Sequence, residues 1–218
     1  MKNQECLFQI WRKRKAEADM TRNEKKRFDI IEAARQVFLE KGFELTSMDE
    51  IAKRAKVSKR TVYSNFGSKE DLFSGLMHEV CESKREKVEL YIDEDLPLEE
   101  ALNELGRRFL QMIFEPEGMN LVRMMIGNAN AFPQMGDDFY KQGPKEVIEY
   151  VAAYLDSWAE KGVLKIEDSF ISAQGLLASM FGVHQMKCLM SNCEAPDSDM
   201  QAKMVRIAVS QFLHGTKA

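Results

Sequence analysis

The chain has 218 residues, of which 44% are hydrophobic and 30% are charged, and its formal net charge at pH 7 is −4. Its length and composition are typical of a globular protein with a full core, and a membrane span is not expected because no run of about 20 apolar residues occurs. The N-terminal sequence MKNQECLFQIWRKRK lacks the apolar length and cleavage site of a secretory signal, so we expect a cytoplasmic protein with no membrane partner.

The distribution of charge predicts separate modules. Residues 1–70 contain 17 Lys and Arg against 11 Asp and Glu, whereas the remaining residues contain 14 against 24. A basic segment attracts a polyanion and an acidic one repels it. We therefore predict a basic arm over 1–23, a DNA-binding domain over 24–76 and a second domain over 77–218. The basic run WRKRK at 11–15 either contacts DNA phosphates or belongs to a tail that contacts nothing.

Helical periodicity begins near Glu24, and no alternating pattern predicts a strand, so the expected fold class is all-α. Gly42 follows the first apolar stripe and is placed to close that helix in a left-handed conformation. The apolar stripe of this first helix consists of Ile30, Ile31, Ala34, Val37 and Phe38.

Two short helices joined by a tight turn follow, as in a helix-turn-helix motif. Ser47 and Glu50 have the spacing of a capping box, which predicts a helix over about 48–55. Ser58 is placed to cap a second helix over about 59–65, and Ser68 a third, longer helix that runs toward Asp93 and links the two domains.

The remaining sequence predicts further helices, separated near Pro97, Pro116, Pro133 and Gly162. The last two helices, over about 168–190 and 198–214, have wide apolar faces that predict a two-fold, four-helix contact and hence a homodimer. These faces consist of Leu176, Leu177, Met180, Phe181, Val205, Ile207, Ala208 and Phe212.

The second short helix has the side chains that a major-groove helix needs. Lys59 and Arg60 lie in its first turn, where base edges are nearest, and Arg can bond both acceptors of a guanine. Lys69 begins the following helix, whose N-terminus favours a phosphate. A charged surface turn of a helical bundle is the simpler alternative. The predicted DNA-contact set consists of Thr46, Ser47, Ser58, Lys59, Arg60, Thr61, Tyr63, Ser64, Asn65 and Lys69.

Residues from about 27 to 76 closely resemble the DNA-binding domain of the TetR (tetracycline repressor) family of transcriptional regulators. Lys56 departs from that pattern, because the family very often has Gly at this turn; we expect either that Lys56 adopts an unfavourable backbone conformation or that the turn is slightly reshaped. The matching elements are Ala33-Ala34, Phe38, Gly42-Phe43, Thr46-Ser47, Ile51-Ala52, Ala55, Val57-Ser58, Tyr63, Phe66 and Lys69-Glu70.

The resemblance implies a homodimer with an N-terminal three-helix DNA-binding domain and a helical domain that dimerises and usually holds a small molecule. Binding of that molecule generally moves the two DNA-binding heads apart and lowers operator affinity. The segment NLVRMMIGNANAFPQMGDDFY also looks like a C-terminal subgroup found in repressors of efflux and stress genes. That subgroup commonly has Glu where this chain has Asn128, so a pocket that relies on this acid for a cationic ligand is not expected.

Large apolar side chains with a few polar neighbours predict an effector site in the second domain, since such cavities are the usual form of a small-molecule site. A plain core is the alternative. We expect an apolar or amphipathic effector, aromatic or acyl in character. The predicted effector set consists of Phe109, Met112, Ile113, Met125, Asn128, Phe132, Trp158, Phe170, Gln174, Met180 and His184.

The four cysteines show no CxxC pair, so we expect free, partly buried thiols. His184 and Cys188 lie one helical turn apart, and Cys193 is near enough to join them on a metal, but two local ligands are fewer than a structural zinc usually takes. We expect no metal and no cofactor. No nucleotide-binding or catalytic motif occurs, which disfavours an enzyme.

These features predict a ligand-responsive DNA-binding regulator, most simply a repressor released from a palindromic double-stranded operator by its effector. A transcriptional activator and a metal- or redox-responsive regulator of the same fold are the alternatives. A helical enzyme and a structural helical adaptor are the rival classes of protein.

Overall fold

The computed structural model describes residues 21–89, 92, 96–191 and 193–217, with only the backbone of 81–89. These residues form α-helices, apart from turns, short links and an isolated antiparallel bridge between Leu164 and Lys217, which confirms the all-α prediction. No helix of this described part has both the length and the apolarity needed to cross a membrane. In chain order the helices are α1 (Arg22–Leu45), α2 (Met48–Arg54), α3 (Lys59–Asn65), α4 (Lys69–Glu89), α5 (Leu98–Ile113), α6 (Pro116–Asn128), α7 (Pro133–Gln142), α8 (Pro144–Glu160), α9 (Ser169–Met190) and α10 (Ser198–Thr216).

Side-chain caps set the starts of the N-terminal helices. Ser47 and Ser58 accept hydrogen bonds from the backbone N–H groups of Glu50 and Thr61, so α2 and α3 begin where the sequence predicts. The helix α1 begins earlier than predicted because Thr21 and Glu24 form a capping box. Residues 1–20, which include most of the predicted arm, lie outside the described residues, so a DNA contact by WRKRK stays a prediction.

The first core lies among α1–α4 and is centred on aromatic rings. Phe38, Phe43 and Phe73 contact one another with ring centroids 5.2 to 5.6 Å apart. Leu121 and Met125 of α6 are buried in this same core. The N-terminal domain is therefore packed directly on α6, a contact that periodicity within either segment does not predict.

The second core lies among α5, α8, α9 and α10. Leu102 and Leu105 of α5, Leu155 of α8 and Val209 of α10 are all buried within it. A Cβ added at Gly106 would lie 2.6 Å from Cγ1 of Val205, so a larger residue there would push α5 and α10 apart.

Two parts of the C-terminal fold differ from expectation. The helix α7 was not predicted, because PQMGDDFYKQ has ten residues, which is shorter than the window over which helical periodicity becomes clear. Cys188 and Cys193 form a disulfide, so the prediction of four free thiols is wrong for this pair. Spacing along the chain did not reveal the pair because the link after α9 turns back on the helix.

Candidate nucleic-acid interface

The helix α3 has one buried face and one exposed face. Val62 lies on the buried face of α3. Phe66, the residue directly after the helix, packs in the same core. The guanidinium of Arg27 in α1 lies 4.3 Å from the centre of the Phe66 ring and donates to the backbone oxygen of Asn65. These contacts hold the middle and the C-terminal end of α3, and the Ser58 cap holds its start, so its opposite face is presented to solvent in a fixed orientation.

The two cations in the first turn of α3 have different surroundings. The Lys59 ammonium lies 2.7 Å from Oδ1 of Asp49, and this hydrogen bond raises the pKa of Lys59 above its ordinary value. It also lies 5.9 Å from the ring of Tyr63, which is 45% exposed. Arg60 is exposed and makes no ion pair with any residue that the structure describes. Its guanidinium is therefore available to a base edge without first breaking a bond within the protein.

Four polar side chains of the DNA-contact set form hydrogen bonds within α3 and its N-cap. The Ser58 hydroxyl lies 2.8 Å from that of Thr61, and Ser64 Oγ donates to the Thr61 backbone oxygen. Asn65 Nδ2 donates to the same oxygen at 2.8 Å. Their free lone pairs and remaining protons can still bond a phosphate, but these side chains also stabilise the helix itself.

Three further members of the DNA-contact set lie at the end of α1 and the starts of α2 and α4. Thr46 is buried and its hydroxyl donates to the Gly42 backbone oxygen, while Ser47 caps α2. The Lys69 ammonium donates to the backbone oxygen of Phe43 at 2.8 Å and lies 4.5 Å from that ring. In this structure Lys69 therefore stabilises the end of α1, and its phosphate contact stays a prediction.

The turn between α2 and α3 has the predicted unfavourable conformation. Lys56 has a φ of 56°, the only positive φ of a non-glycine residue in the described ranges. The left-handed region costs an L-residue free energy that Gly does not lose.

The effector set is divided between the two cores. Phe109 and Met180 are buried in the second core, with Met112, Ile113, Trp158 and Phe170 partly buried against it. Met125 and Phe132 pack instead in the first core, and Asn128 Nδ2 donates to its own helix at Met124. Gln174 and His184 are exposed. The structure does not bring the whole set together, so a common site stays a prediction.

An open groove of about 410 Å³ lies between α6 and α9, and none of its lining residues belongs to the effector set. Its position depends on Gly182, which interrupts α9 with φ 23° and ψ −116°. The glycine at this position is visible in the sequence, but the direction of the bend is not. The lining residues are Arg123, Ile126, Gly182, Gln185, Met186, Leu189 and Met190.

The residues that the sequence offered as metal ligands are not arranged to bind a metal ion together. Cys188 and Cys193 bond each other, and His184 is exposed on α9. In the part of the chain that the structure describes, no three His, Cys, Asp or Glu side chains are grouped to hold a metal ion.

Two family models match the chain, and together they span both domains. Residues 30–76 match the model described as bacterial regulatory proteins of the tetR family, and residues 100–215 match the AefR-like transcriptional repressor C-terminal domain. These matches confirm the recognition of the N-terminal motif and extend it over the second domain.

Solved structures and curated relatives agree with these models. A structure described as a TetR-family regulator from Mesorhizobium loti MAFF303099 is 26% identical, with a TM-score of 0.83 over 91% of this chain and 100% of its own. The flavonoid-responsive regulator FrrA is 30% identical, with a TM-score of 0.78 over 88% of this chain and 97% of its own. The transcriptional regulator SrpR of Pseudomonas putida is 23% identical over 201 residues, which cover 92% of this chain and 87% of SrpR.

The helix-turn-helix head, the helical second domain and the two family matches lead to one assignment, and the relatives are regulators rather than enzymes. The chain belongs to the TetR family of ligand-responsive transcriptional regulators, which bind DNA operators as dimers.

Proposed function

We propose that the protein is a repressor that acts in the cytoplasm and inserts α3 of each protomer into the major groove of a near-palindromic operator. The observation that supports this most directly is that Arg60 is exposed and has no ion pair among the described residues. It lies on a helix that is capped by Ser58 and packed against the N-terminal core. Half-sites should then lie about one helical turn, roughly 34–36 Å, or a multiple of it apart. Repression is favoured by the AefR-like transcriptional repressor model, which matches the second domain.

The dimer contact is proposed to use the outer faces of α9 and α10. Val183, Met186 and Met190 are 79%, 59% and 80% exposed, and Ile207 of α10 is 41% exposed. Val183, Met186 and Met190 recur at helical spacing along α9, and exposed apolar residues in such a row favour a partner, which two-fold symmetry can supply from the same face of a second copy. Of the faces predicted from the sequence, Leu176, Leu177, Met180, Val205 and Ala208 are buried within the protomer. Phe181 and Phe212 are partly buried against the protomer's own core.

The effector is proposed to be an amphipathic aromatic molecule that binds beside Trp158. The Nε1 atom of Trp158 is buried and has no hydrogen-bond partner within the described residues. A buried N–H without a partner is uncommon, and a ligand oxygen would satisfy it. The surrounding surface is aromatic, with the Tyr154 and Trp158 rings 6.3 Å apart. FrrA, which is described as flavonoid-responsive, supports an aromatic effector.

Fluorescence and DNA binding together test the effector proposal. In a Trp11→Phe background the emission comes from Trp158 alone, so a hydroxylated flavonoid should change it and raise the operator Kd over the same concentration range. Trp158→Phe keeps an aromatic side chain but removes the N–H donor, which should weaken effector binding, measured by operator release, by about 0.5–1.5 kcal/mol or more because phenyl is also smaller than indole. The matched control, Tyr140→Phe on exposed α7, should bind the flavonoid as the parent does.

The two parts of the proposal fail separately. If flavonoids neither change the Trp158 emission nor release DNA, whether or not fatty acids do, the aromatic effector is wrong while operator binding stands. If the protein selects no sequence from a random DNA library, the proposed use of α3 is wrong.

A further inference from the structure

The disulfide between Cys188 and Cys193 lies at the junction of two helices of the second domain. Cys188 is in the last turn of α9, and Cys193 is in the link that leads to α10, with their Cα atoms 5.1 Å apart. Cys188 is buried and Cys193 is half-buried, so Cys193 is the sulfur that a small reagent reaches more easily. In a reducing compartment, where this chain's DNA target is found, disulfides of mesophilic proteins are usually transient and often redox-sensing.

The end of α9 that contains Cys188 is also the part that is hydrogen-bonded to α6. Arg123 of α6 donates from Nη2 to the Cys188 backbone oxygen at 2.7 Å and from Nε to that of Leu189 at 3.0 Å. A guanidinium in this position caps the carbonyl groups that the end of α9 leaves without helical partners. Any movement of the last turn of α9 therefore moves the anchor of α6.

The helix α6 also contacts the DNA-binding domain, on both sides of Arg123 along its length. Glu117 in its first turn forms an ion pair with Arg35 of α1, which also bonds Glu32. Leu121 and Met125 of α6 are buried in the core of that domain. The same helix thus connects the disulfide with the domain that contains α3.

We propose that Cys188 and Cys193 form a reversible redox pair whose oxidation state controls how firmly α6 is anchored, and thereby how tightly the protein binds its operator. The proposal needs no small-molecule effector and adds a second input to the regulator. It uses the connection from α9 through Arg123 and α6 to Arg35, and it assigns the pair as a modification site for hydroperoxides.

The oxidation balances with a hydroperoxide as the two-electron oxidant. The Cys193 thiolate attacks one peroxide oxygen, so an S–O bond forms, the O–O bond breaks and the second oxygen leaves after protonation, as water from hydrogen peroxide or as an alcohol from an organic hydroperoxide. The Cys188 thiolate then attacks the Cys193 sulfur; the S–S bond forms and the sulfenic oxygen leaves as water. A dithiol reverses the change by thiol–disulfide exchange and is itself oxidised. In the disulfide-bonded structure the Glu194 backbone oxygen lies 3.7 Å from Sγ of Cys188, so after reduction it is positioned to accept the hydrogen bond of the Cys188 thiol.

Reduction should weaken operator binding. Without the bond, the last turn of α9 and its link are less restrained, so the carbonyl groups that hold Arg123 occupy a wider range of positions. A smaller fraction of the protein then has its DNA-binding domains in the arrangement that fits the operator. The apparent affinity for the operator falls in proportion to that fraction.

The test uses the Cys6→Ser/Cys81→Ser double variant, in which the pair supplies the only two thiols. Treatment with hydrogen peroxide should leave no thiol to react with a thiol reagent, and a dithiol should restore two per chain. The operator Kd, measured on a duplex selected from a random-sequence library, should rise about fivefold or more on reduction, a coupling of the size usual between linked sites.

Two single-cysteine variants provide the control. Adding Cys188→Ser or Cys193→Ser to the double variant should fix the Kd near the reduced value under both conditions. Cys193→Ser, at the half-buried position, keeps the test valid if loss of the buried Cys188 prevents folding. Equal Kd values for the oxidised and reduced double variant, tighter binding in the reduced form, or two reactive thiols after peroxide treatment would each overturn the proposal.

Discussion

At the residue scale, the two cations on the exposed face of α3 differ in whether they already have an ion-pair partner among the described residues. Lys59 is bonded to Asp49, so a DNA contact by Lys59 must replace an existing interaction. Arg60 has no such partner among the described residues. Because a guanidinium can donate two parallel hydrogen bonds to guanine, Arg60 is the better candidate for reading sequence.

Replacing Arg60 by Ala should therefore reduce discrimination between operator variants by about 1–3 kcal/mol, if Arg60 makes a bidentate guanine contact. Lys59→Ala should reduce this discrimination by less, since Lys59 must give up its bond to Asp49 when it binds DNA. Competition binding with single-base operator variants measures both. An unchanged ranking of variants with Arg60→Ala would show that Arg60 is not a base reader.

Lys56 is a second residue with a separable effect. Its φ of 56° is strained for a side chain with a Cβ. Lys56→Gly should raise the free energy of unfolding by about 0.5–1 kcal/mol, because relief of that strain exceeds the added entropy of the unfolded chain. Urea denaturation measures the change. Lys56→Ala removes the charge but keeps the Cβ, so an equal gain in both variants would trace the effect to charge.

At the element scale, α6 is one of the helices that pack between the two domains. Arg35 is 8% exposed, and its partners Glu32 and Glu117 lie on α1 and α6. Burial alone would lower the pKa of Arg35, but its hydrogen bonds to Glu32 and Glu117 raise the pKa above its ordinary value, so the guanidinium stays charged. Removal of one member leaves the other charges partly buried without compensation.

Arg35→Met should therefore lower the free energy of unfolding by about 2 kcal/mol. This loss is smaller than that for a fully buried ion pair, because Glu117 is partly exposed. Arg54→Ala breaks the exposed pair with Glu40 and should cost clearly less. Urea denaturation compares the two. If Arg35→Met and Glu117→Gln had additive effects in a double-mutant cycle, the contact between α1 and α6 would not couple the domains.

At the scale of the whole molecule, the second domain must present an apolar face to its partner without exposing its own core. Val183 is mostly exposed, whereas Phe181 lies two residues away with its ring 5.7 Å from that of Phe109. The two residues differ in role although both are apolar and close in sequence. Because a dimer holds two heads at a fixed separation, loss of the contact should also lose the operator.

Val183→Glu should give a folded monomer that no longer retains operator DNA, because a charge in the apolar contact would be buried without a partner. Phe181→Glu should instead destabilise the protomer. Sedimentation gives the oligomeric state and circular dichroism the fold. A stable dimer of Val183→Glu would place the interface on another face.

The sequence by itself determined the features that depend on neighbouring residues. Ser47, Ser58 and Asp168 each accept a backbone N–H three positions on, so the starts of α2, α3 and α9 follow from spacing alone. The left-handed turn at Lys56 follows from the TetR resemblance, because the family usually has Gly there. These features are local, and their geometry is set within a single turn of chain.

Only the tertiary structure decided which distant residues meet. Met125 and Phe132 pack with the DNA-binding domain rather than beside Trp158, although both show the apolar spacing of a domain core. The bond between Cys188 and Cys193 and the groove at Gly182 depend on how the chain turns after α9 and within it. An apolar stripe predicts that a helix face is buried but not which surface buries it, because the hydrophobic effect has no direction.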